Sequence, residues 1–201
     1  MSMLCTPLSK HLRPAPESSA PHPPRTPSPR SMIWSVISKL IFPYLPSPAY
    51  RIRRIILRAF GASMDPHARV RGGVRISHPW NLTIGRKSSI GEGTAVFNPA
   101  PLTIGDRTVI SQYCLVNCVA HANNNPAKPQ HPSHLAIGND VWIATECVVE
   151  GNQSIPNGVL VGARSVITQT NPIDQPLKPW TIATGHPAVS RRERPYQGPK
   201  A

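Results

Sequence analysis

Residues 137–167 read IGNDVWIATECVVEGNQSIPNGVLVGARSVI, and an Ile or a Val occupies every sixth position of this stretch. The same spacing recurs earlier, first in Ile84, Ile90, Val96 and Leu102 and then, after a shift of two residues, in Ile104, Ile110 and Val116. A period of six matches neither the 3.6 residues of a helical turn nor the alternation of an antiparallel strand. It is typical of hexapeptide repeats, which predict an all-β fold, a parallel β-helix.

The position four residues after each of these apolar anchors is small in nearly every repeat. It holds Ser88, Thr94, Ala100, Thr108, Cys114, Ala120, Val141, Cys147, Val159 and Ser165, with Gln153 as the exception. Three hexapeptides complete one triangular coil of about eighteen residues, so the anchors should point inward and the small residues should lie at the inner corners. The spacing extends back to Met64, which predicts about five coils within residues 63–170.

The chain ahead of the repeat divides into two segments. Residues 1–31 contain eight Pro among Ser, Arg and His, and we expect disorder because the segment has too little apolar surface to offset the entropy cost of ordering. Residues 32–62 are expected to form a helical, basic and amphipathic cap. A helical spacing over Tyr50–Phe60 joins Ile52, Ile55, Ile56, Ala59 and Phe60 in one apolar stripe. We expect this helix to cover the first coil, whose open edge would otherwise pair with another strand.

The net charge of +13 is concentrated ahead of the repeat. Residues 1–75 hold twelve Lys or Arg against two acidic residues, whereas residues 76–201 hold ten against seven. One interpretation is a basic amphipathic surface in peripheral contact with anionic lipid headgroups, and the alternative is solvated charge without a partner. The sequence contains no signature of nucleic-acid binding.

Cysteine usage and the apolar runs bear on the cellular setting. The four Cys suggest no disulfide framework, because Cys114 and Cys147 fall on inward corner positions, where they act as small core residues. The apolar run Met32–Phe42 is too short to cross a bilayer, and no secretory signal is evident. We therefore expect a reducing, cytoplasmic setting, with the inner face of the membrane as an open alternative.

The repeat is interrupted once, between the anchors Val116 and Ile137. The intervening chain is rich in Asn and Pro, so residues 117–136 are expected to leave the coil as a loop. A loop on a rigid scaffold is a frequent place for function. This one carries His121, His131 and His134.

From about Phe60 to Val189 the sequence resembles the hexapeptide-repeat acyltransferases, and most closely the colanic-acid-type O-acetyltransferases of surface polysaccharide biosynthesis. The resemblance rests on three motifs in order, IGNDVWIA from Ile137, VGARSVIT from Val161 and GHPA from Gly185. It implies a left-handed coil and transfer of acetyl from acetyl-CoA to a hydroxyl of a sugar or a lipid-linked saccharide. It also implies a homotrimer whose active site forms between two subunits.

The resemblance implies catalytic roles for three residues. His121 matches the His early in the protruding loop that serves as general base, and an imidazole with a pKa near 6.5 suits proton removal from a hydroxyl at neutral pH. Thr145 matches the residue that offers a backbone N–H to the tetrahedral oxyanion. Asn98 matches an Asn beside the acceptor, and a role as a cap of the corner before Pro99 is the alternative.

For acetyl-CoA, the resemblance implies small residues along one coil edge, a Pro against the adenine and a cation for the phosphates. These positions are Ala144, Gly162, Ala163, Thr168, Pro187 and Arg192, with Arg191 beside the last. Two departures from the family pattern concern this edge. Thr168 is followed by Gln and Thr where many relatives carry Lys and Asp, and the connection at the start of the C-terminal extension, residues 171–201, is longer than usual.

Three alternatives share the scaffold. Some relatives act on small amino acids or amino sugars, which leaves the acceptor open. A zinc enzyme similar to the γ-class carbonic anhydrases would need His ligands at spacings that His78, His121 and His131 do not reproduce. A metal site of Cys114, Cys118 and His121 conflicts with the inward position of Cys114, so we expect no metal. A non-catalytic scaffold would be indifferent to the loss of His121.

Overall fold

The computed structural model describes residues 28–46, 48–121, 130–168 and 176–195. Most of the predicted N-terminal extension lies outside these residues, and the first helix begins at Pro29, slightly ahead of the predicted boundary at residue 32. The repeat region forms the predicted all-β coil of about five turns. Its three sides are called faces A, B and C below, in chain order.

Each face is a parallel sheet in which every strand pairs with the strands one coil before and after it. Face A consists of Ser63–Met64, Leu82–Ile84, Leu102–Ile104, Leu135–Ile137 and Gln153–Ile155. Face B consists of Arg69–Val70, Ser89–Ile90, Val109–Ile110, Trp142–Ile143 and Leu160–Val161, extended at its end by Thr181–Gly185 and Ala188–Glu193. Face C consists of Arg75–Ile76, Ala95–Phe97, Leu115–Asn117, Val148–Glu150 and Val166–Ile167. A short 3-10 turn, Pro79–Asn81, precedes the second coil.

The apolar anchors of the repeat form the core, as the six-residue spacing predicted. All of them from Met64 to Ile167 are buried, and each stacks on the anchors of the neighbouring coils. Face A explains the shift of two residues in the sequence pattern. In the three-residue strand Leu102–Ile104, the first and the last side chain both point into the core. Leu102 therefore ends one run of six-residue spacing and Ile104 begins the next, and both anchors are buried.

The small corner residues join successive coils by hydrogen bonds. Thr108 Oγ1 donates to the carbonyl of Gly138 at 2.6 Å and accepts from the N–H of Val141 at 3.2 Å. The thiols of Cys114 and Cys147 each donate to a carbonyl of the next coil at 3.1 Å. Little space remains on the inner side of the corner, so a bulky side chain does not fit there. A short side chain that can hydrogen-bond to the backbone is favoured.

Two helices, α1 (Pro29–Leu40) and α2 (Tyr50–Ala59), cover the open end of the first coil. A 3-10 turn, Phe42–Tyr44, lies between them. In later coils the anchor carbonyl accepts a hydrogen bond from the coil before, as that of Ile84 accepts from the N–H of Asp65 at 3.0 Å. The first coil has no coil before it, so its three anchor carbonyls need other donors.

Side chains of the two helices supply one donor for each face. The indole N–H of Trp34 donates to the carbonyl of Ile76 at 2.9 Å on face C. The guanidinium of Arg58 donates to the carbonyl of Met64 at 3.0 Å on face A. On face B, the buried guanidinium of Arg53 lies 3.5 Å from the carbonyl of Val70. The helices therefore terminate the stack through hydrogen bonds as well as through apolar packing.

The predicted apolar stripe of α2 is divided between the coil and the solvent. Arg53 and Leu57 are the buried residues of the helix, and Ile56 and Phe60 of the stripe pack against the core, whereas Ile52, Ile55 and Ala59 are exposed. The helix thus carries two apolar arcs, and only one of them meets the coil. The carbonyl of Val70 and the carbonyls of the preceding turn attract the guanidinium of Arg53, which places the arc of Leu57 inward.

The loop and the C-terminal extension differ from their predicted bounds. Leu135–Ile137 is a strand of face A, so the excursion ends near His134 rather than at residue 136. The extension is more than a tail, because Thr181–Gly185 pairs in parallel with Leu160–Val161 and closes the last coil. An antiparallel hairpin with Ala188–Glu193 completes it.

Across the described ranges, no helix has the length and hydropathy needed to span a bilayer.

We predict that Thr108→Val lowers the free energy of unfolding by about 1–3 kcal/mol, because the buried N–H of Val141 and the carbonyl of Gly138 lose their partner at nearly constant side-chain volume. Thr103→Val is the matched control, an exposed Thr on face A of the same coil. It should change stability by less than about 0.5 kcal/mol. Urea denaturation of both variants checks this, and equal stabilities would contradict the role of the corner hydroxyl.

Candidate functional site

The protruding segment leaves the stack where face C of the third coil ends. Val119–His121 pairs antiparallel with Gln130–Pro132, in a register that sets Ala120 opposite His131 and His121 opposite Gln130. The base of the predicted loop is therefore a short hairpin, and residues 122–129 lie outside the described residues. The backbone of His121 is held two residues beyond the buried core position of Val119. This places it at the corner between faces C and A.

The other loop histidines lie on the returning strand or after it. His131 and His134 are both exposed. The carbonyl of His134 accepts from the N–H of Asn152 at 2.8 Å, which ties the end of the excursion to the following coil. These contacts are structural, and they leave the His134 ring at the surface.

Asn98 lies at the same C–A corner, one coil before the hairpin, and it is fully buried. Its Oδ1 accepts from the N–H of His78 at 3.1 Å, and its Nδ2 donates to the carbonyl of His78 at 2.8 Å. Its backbone N–H donates to Ser77 Oγ at 2.9 Å. Both ends of the amide are used within the corner, so the structure favours the capping alternative for this side chain. Contact of Asn98 with an acceptor stays a prediction.

Around this corner lie polar and aromatic groups that the sequence pattern did not single out. His78 is half-buried, its Nδ1 is 2.8 Å from Ser77 Oγ, and burial lowers the pKa of its imidazole. Its ring meets Trp80 and Phe97 edge-on, with centroids 5.2 and 6.3 Å apart. The Phe97 ring is exposed beside the hairpin. The stacking of coils brings Phe97 to His78, because these two residues come from separate repeats.

Asn117, the last residue of face C before the hairpin, carries an unsatisfied acceptor. Its side-chain Oδ1 is buried and has no hydrogen-bond partner among the described residues. Asn117 lies next to Phe97 in the sheet, in register with it. Unpaired buried polar atoms are rare in folded proteins and are often found at functional sites. The C–A corner thus combines an exposed ring with a buried acceptor that has no partner among the described residues.

Thr145 lies at a different corner, between faces B and C of the fourth coil. It is half-buried, and its Oγ1 donates to the carbonyl of Gln112 at 3.0 Å. Its carbonyl accepts from the N–H of Arg164 at 3.0 Å. Within the described part of the chain, its own N–H makes no hydrogen bond. This corner therefore presents a free backbone donor at its surface.

Ala144, Gly162 and the terminal hairpin form one column at this B–C corner. The N–H of Ala144 donates to the carbonyl of Val161 at 3.0 Å, and the N–H of Gly162 donates to that of Ala183 at 2.9 Å. A Cβ on Gly162 would approach Thr184 Cγ2 to 2.6 Å, so a larger residue would have to displace the Thr184 side chain. Ala163 is exposed beside it. The column is narrow and lined by small residues.

The turn of the terminal hairpin continues the column. The N–H of Gly185 donates to Ser165 Oγ at 3.2 Å, which fixes the turn that contains half-buried Pro187 above the corner. A Cβ on Gly185 would lie 3.7 Å from Nη2 of Arg191, so this guanidinium reaches the same place. The structure therefore brings Ala144, Gly162, Ala163 and Pro187 together, and Arg191 reaches the hairpin turn beside them.

Two of the predicted cofactor residues lie elsewhere. Thr168 follows Val166–Ile167 at the far end of face C, away from the corner of Gly162, and its contact with CoA stays a prediction. Arg192 pairs with Ile182 near the base of the hairpin, away from the turn with Pro187. It lines an open cavity of about 680 Å³ with Lys178, Trp180, Arg191 and Arg194. This cavity is basic and lies beside the column rather than on it.

The two predicted halves of the site lie on two edges of the coil. The His121 hairpin leaves from the C–A corner, whereas Thr145 and the small-residue column lie at the B–C corner. Face C separates them, and its strands of two or three residues plus corner residues span roughly 10 Å. Among the described residues, one chain alone does not bring the hairpin against the column.

The metal alternative finds no donor set in the described residues, where no group of three or more His, Cys, Asp or Glu could hold an ion. Cys114 is buried with its thiol directed at the carbonyl of Ala144. Cys118 is also buried, and burial raises the pKa of its thiol to about 12. Such a thiol resists the deprotonation that metal binding requires.

Known proteins resemble this chain in sequence and in fold, although no protein-family model matches it. The colanic acid biosynthesis acetyltransferase WcaF of Escherichia coli K12 is 31% identical over 162 residues, which cover 81% of this chain and 86% of WcaF. A solved galactoside acetyltransferase in complex with coenzyme A is 21% identical, with a TM-score of 0.69 over 82% of this chain and 80% of its own. The maltose O-acetyltransferase of Clostridium difficile 630 gives 0.68 at 20% identity, over 83% and 87%. The fold is thus the left-handed β-helix of these structures.

The burial of Asn98 leads to a prediction about stability. Asn98→Ala should lower the free energy of unfolding by about 2–3 kcal/mol, because the N–H and the carbonyl of His78 lose their partners in a closed corner. Asn139→Ala is the control, since that exposed amide also accepts from a backbone N–H, that of Asp106 at 2.7 Å. It should cost about 1 kcal/mol or less. Thermal or urea unfolding measures both, and an Asn98 variant of full stability would refute the capping role.

Proposed function

Because this chain belongs to the hexapeptide-repeat acetyltransferase family that includes WcaF, we propose that it transfers an acetyl group from acetyl-CoA to a hydroxyl of a sugar or a lipid-linked saccharide. The observation that carries this proposal is the sequence likeness to WcaF, which extends over most of both chains. The galactoside O-acetyltransferase of Escherichia coli K12, 24% identical over 70% of this chain, supports a sugar acceptor. The name of WcaF supports a role in surface polysaccharide biosynthesis.

In the proposed reaction His121 is the general base. Its imidazole removes the proton of the acceptor hydroxyl as that oxygen attacks the thioester carbonyl of acetyl-CoA. The tetrahedral oxyanion is held by backbone donors, for which the free N–H of Thr145 is the candidate. The intermediate then collapses to the acetyl ester, and the CoA thiolate leaves with the proton carried by the imidazolium.

The proposed acetyl-CoA groove is the small-residue column at the B–C corner. Ala144, Gly162 and Ala163 leave room for the narrow pantetheine arm, and Pro187 supplies an apolar wall at the hairpin turn. Arg191 reaches this turn and faces the basic cavity as well, so it is better placed for a phosphate than Arg192. We retain Arg192 as a contact for the outer phosphate only.

The proposed acceptor position is the C–A corner beside the His121 hairpin. The exposed Phe97 ring offers an apolar platform for a sugar face at this corner. If the acetyl acceptor were an amino sugar or an amino acid, its amine would need a hydrogen-bonding partner in the site. Comparing sugar, lipid-linked sugar, amino-sugar and amino-acid acceptors for CoA thiol release decides between these classes.

A homotrimer would join the two edges that one chain keeps apart. In this arrangement the His121 hairpin of one subunit lies against the B–C column of its neighbour, so each site uses two chains. The support is geometric, because His121 and Thr145 lie on opposite ends of face C within a chain. Cyclic symmetry of three such heterologous contacts closes the assembly. A cytoplasmic location, where acetyl-CoA is supplied, stays a prediction.

We predict that His121→Ala lowers the acetyl transfer rate about 10²–10⁴-fold, because the hydroxyl loses its general base. The rate is measured as acetyl-CoA-dependent thiol release with the best acceptor of the screen. His131→Ala and His134→Ala are the matched controls from the same excursion, and we expect each to keep its rate within about threefold. An active His121→Ala enzyme would leave the family assignment standing but remove the proposed base.

A shared site also predicts complementation between inactive chains. Ala163→Phe blocks the column at an exposed corner, and His121→Ala removes the base, so each variant alone should be inactive. Coexpressed, they form mixed trimers in which about a quarter of the sites draw both intact parts from different chains. We expect activity near that fraction of wild type.

The control for this experiment is the double variant on one chain coexpressed with Ala163→Phe. That pair lacks any chain with an intact column, so it should stay inactive. No recovery in the first mixture, with trimers shown by light scattering, would place the whole site within one chain.

A further inference from the structure

The sides of α1 and α2 that face away from the coil are apolar. On α1 the buried residue is Trp34, and Met32, Val36 and Leu40 recur every fourth position on the opposite side, all exposed. On α2 Arg53 and Leu57 face the coil. Because these helices cover the end of the coil, their outward residues lie at the end of the molecule rather than along its three faces.

The exposed apolar stripe is more clearly defined on α2 than on α1. Ile52 is 50% exposed and Ile55 66%, and Ala59 continues the same stripe one turn later. Among the described residues, eight of the thirteen large apolar side chains that are exposed fall between Met32 and Ile55. Exposed apolar clusters of this kind mark surfaces that bind a partner. We refer to the exposed residues of the two helices as the cap surface.

The charge of the cap surface indicates which kind of partner binds there. No Asp or Glu occurs between residues 18 and 64, and the exposed apolar stripe of α2 is bordered by Arg51, Arg54 and Arg58. Lys39 is exposed on α1. A second copy meeting this surface end to end would bring like charges together. Anionic lipid headgroups above an apolar acyl region match both the charge and the apolar stripe.

We propose that the cap surface docks the protein on the surface of an anionic lipid bilayer. Ile52, Ile55 and the outward residues of α1 enter the boundary between headgroups and acyl chains, and Arg51 and Arg54 pair with the lipid phosphates. The helices lie in the plane of the interface, since neither one in the described chain is long enough to cross the bilayer. The docking does not depend on acetyl transfer or on the identity of the acceptor.

The test is flotation of the full-length protein with vesicles of phosphatidylcholine alone or of phosphatidylcholine mixed with phosphatidylglycerol. We expect binding to the anionic vesicles, a partition coefficient at least about tenfold lower on the neutral ones, and a decrease with added salt. Ile52→Ser/Ile55→Ser should lower binding to anionic vesicles by about tenfold or more, because two apolar side chains no longer enter the interface.

Two further variants separate the apolar and the charged contributions. Val109→Ser/Leu115→Ser removes two exposed apolar side chains from the outer faces of the coil and should bind as wild type does. Arg51→Gln/Arg54→Gln should lower binding to anionic vesicles about tenfold and leave the weak binding to neutral ones unchanged. Circular dichroism and melting temperature confirm that each variant is folded.

Several results would overturn the proposal. They are no binding by the wild type, equal binding to both kinds of vesicle, or equal binding by the Ile52/Ile55 variant. A change of mass by light scattering in the Ile52/Ile55 variant, together with no vesicle binding by the wild type, would assign the cap surface to a second copy of the chain.

Discussion

The structure depends on one constraint, that each coil of a parallel β-helix can pair its backbone only with the coils directly before and after it. Anchor carbonyls point toward the N-terminal end of the stack, as the bond from Asp65 to Ile84 shows. The first coil therefore exposes three acceptors, one for each face. Trp34, Arg53 and Arg58 meet them from two helices. At the other end, the strand Thr181–Gly185 continues face B and its hairpin ends the stack.

The same constraint determines where the chain can insert a functional loop. Extra residues within a strand would shift a face out of register, whereas extra residues at a corner leave every pairing intact. The long excursion with His121 accordingly leaves from a corner, and face A resumes at Leu135 in register with Leu102. The small-residue column of Ala144 and Gly162 lies at another corner. The separation of these two corners within one chain is the physical reason for expecting a site shared between subunits.

The orientation of α2 links the termination of the stack to the cap surface. A guanidinium buried against backbone carbonyls is stabilised by hydrogen bonds that an Ile could not make. Arg53 therefore faces the coil, and Ile52 and Ile55 face solvent. The helix satisfies two acceptors of the first coil with Arg53 and Arg58, and its apolar residues Ile52 and Ile55 lie outward beside Arg51 and Arg54. The cap therefore makes hydrogen bonds to the first coil on its inner side and presents apolar side chains on its outer side.

The sequence by itself determined the coil, its number of turns, the inward corner residues and the place of the excursion. It could do so because a period of six leaves each residue in a fixed position relative to the axis. It also pointed, through the family motifs, to His121 and to the column of Ala144, Gly162 and Pro187. Only the tertiary structure decided which face of α2 meets the coil and that Asn98 is closed into a corner. Each of these depends on contacts between residues about twenty positions apart, where one coil stacks on the next, and a local pattern carries no information about which backbone groups are left unpaired there.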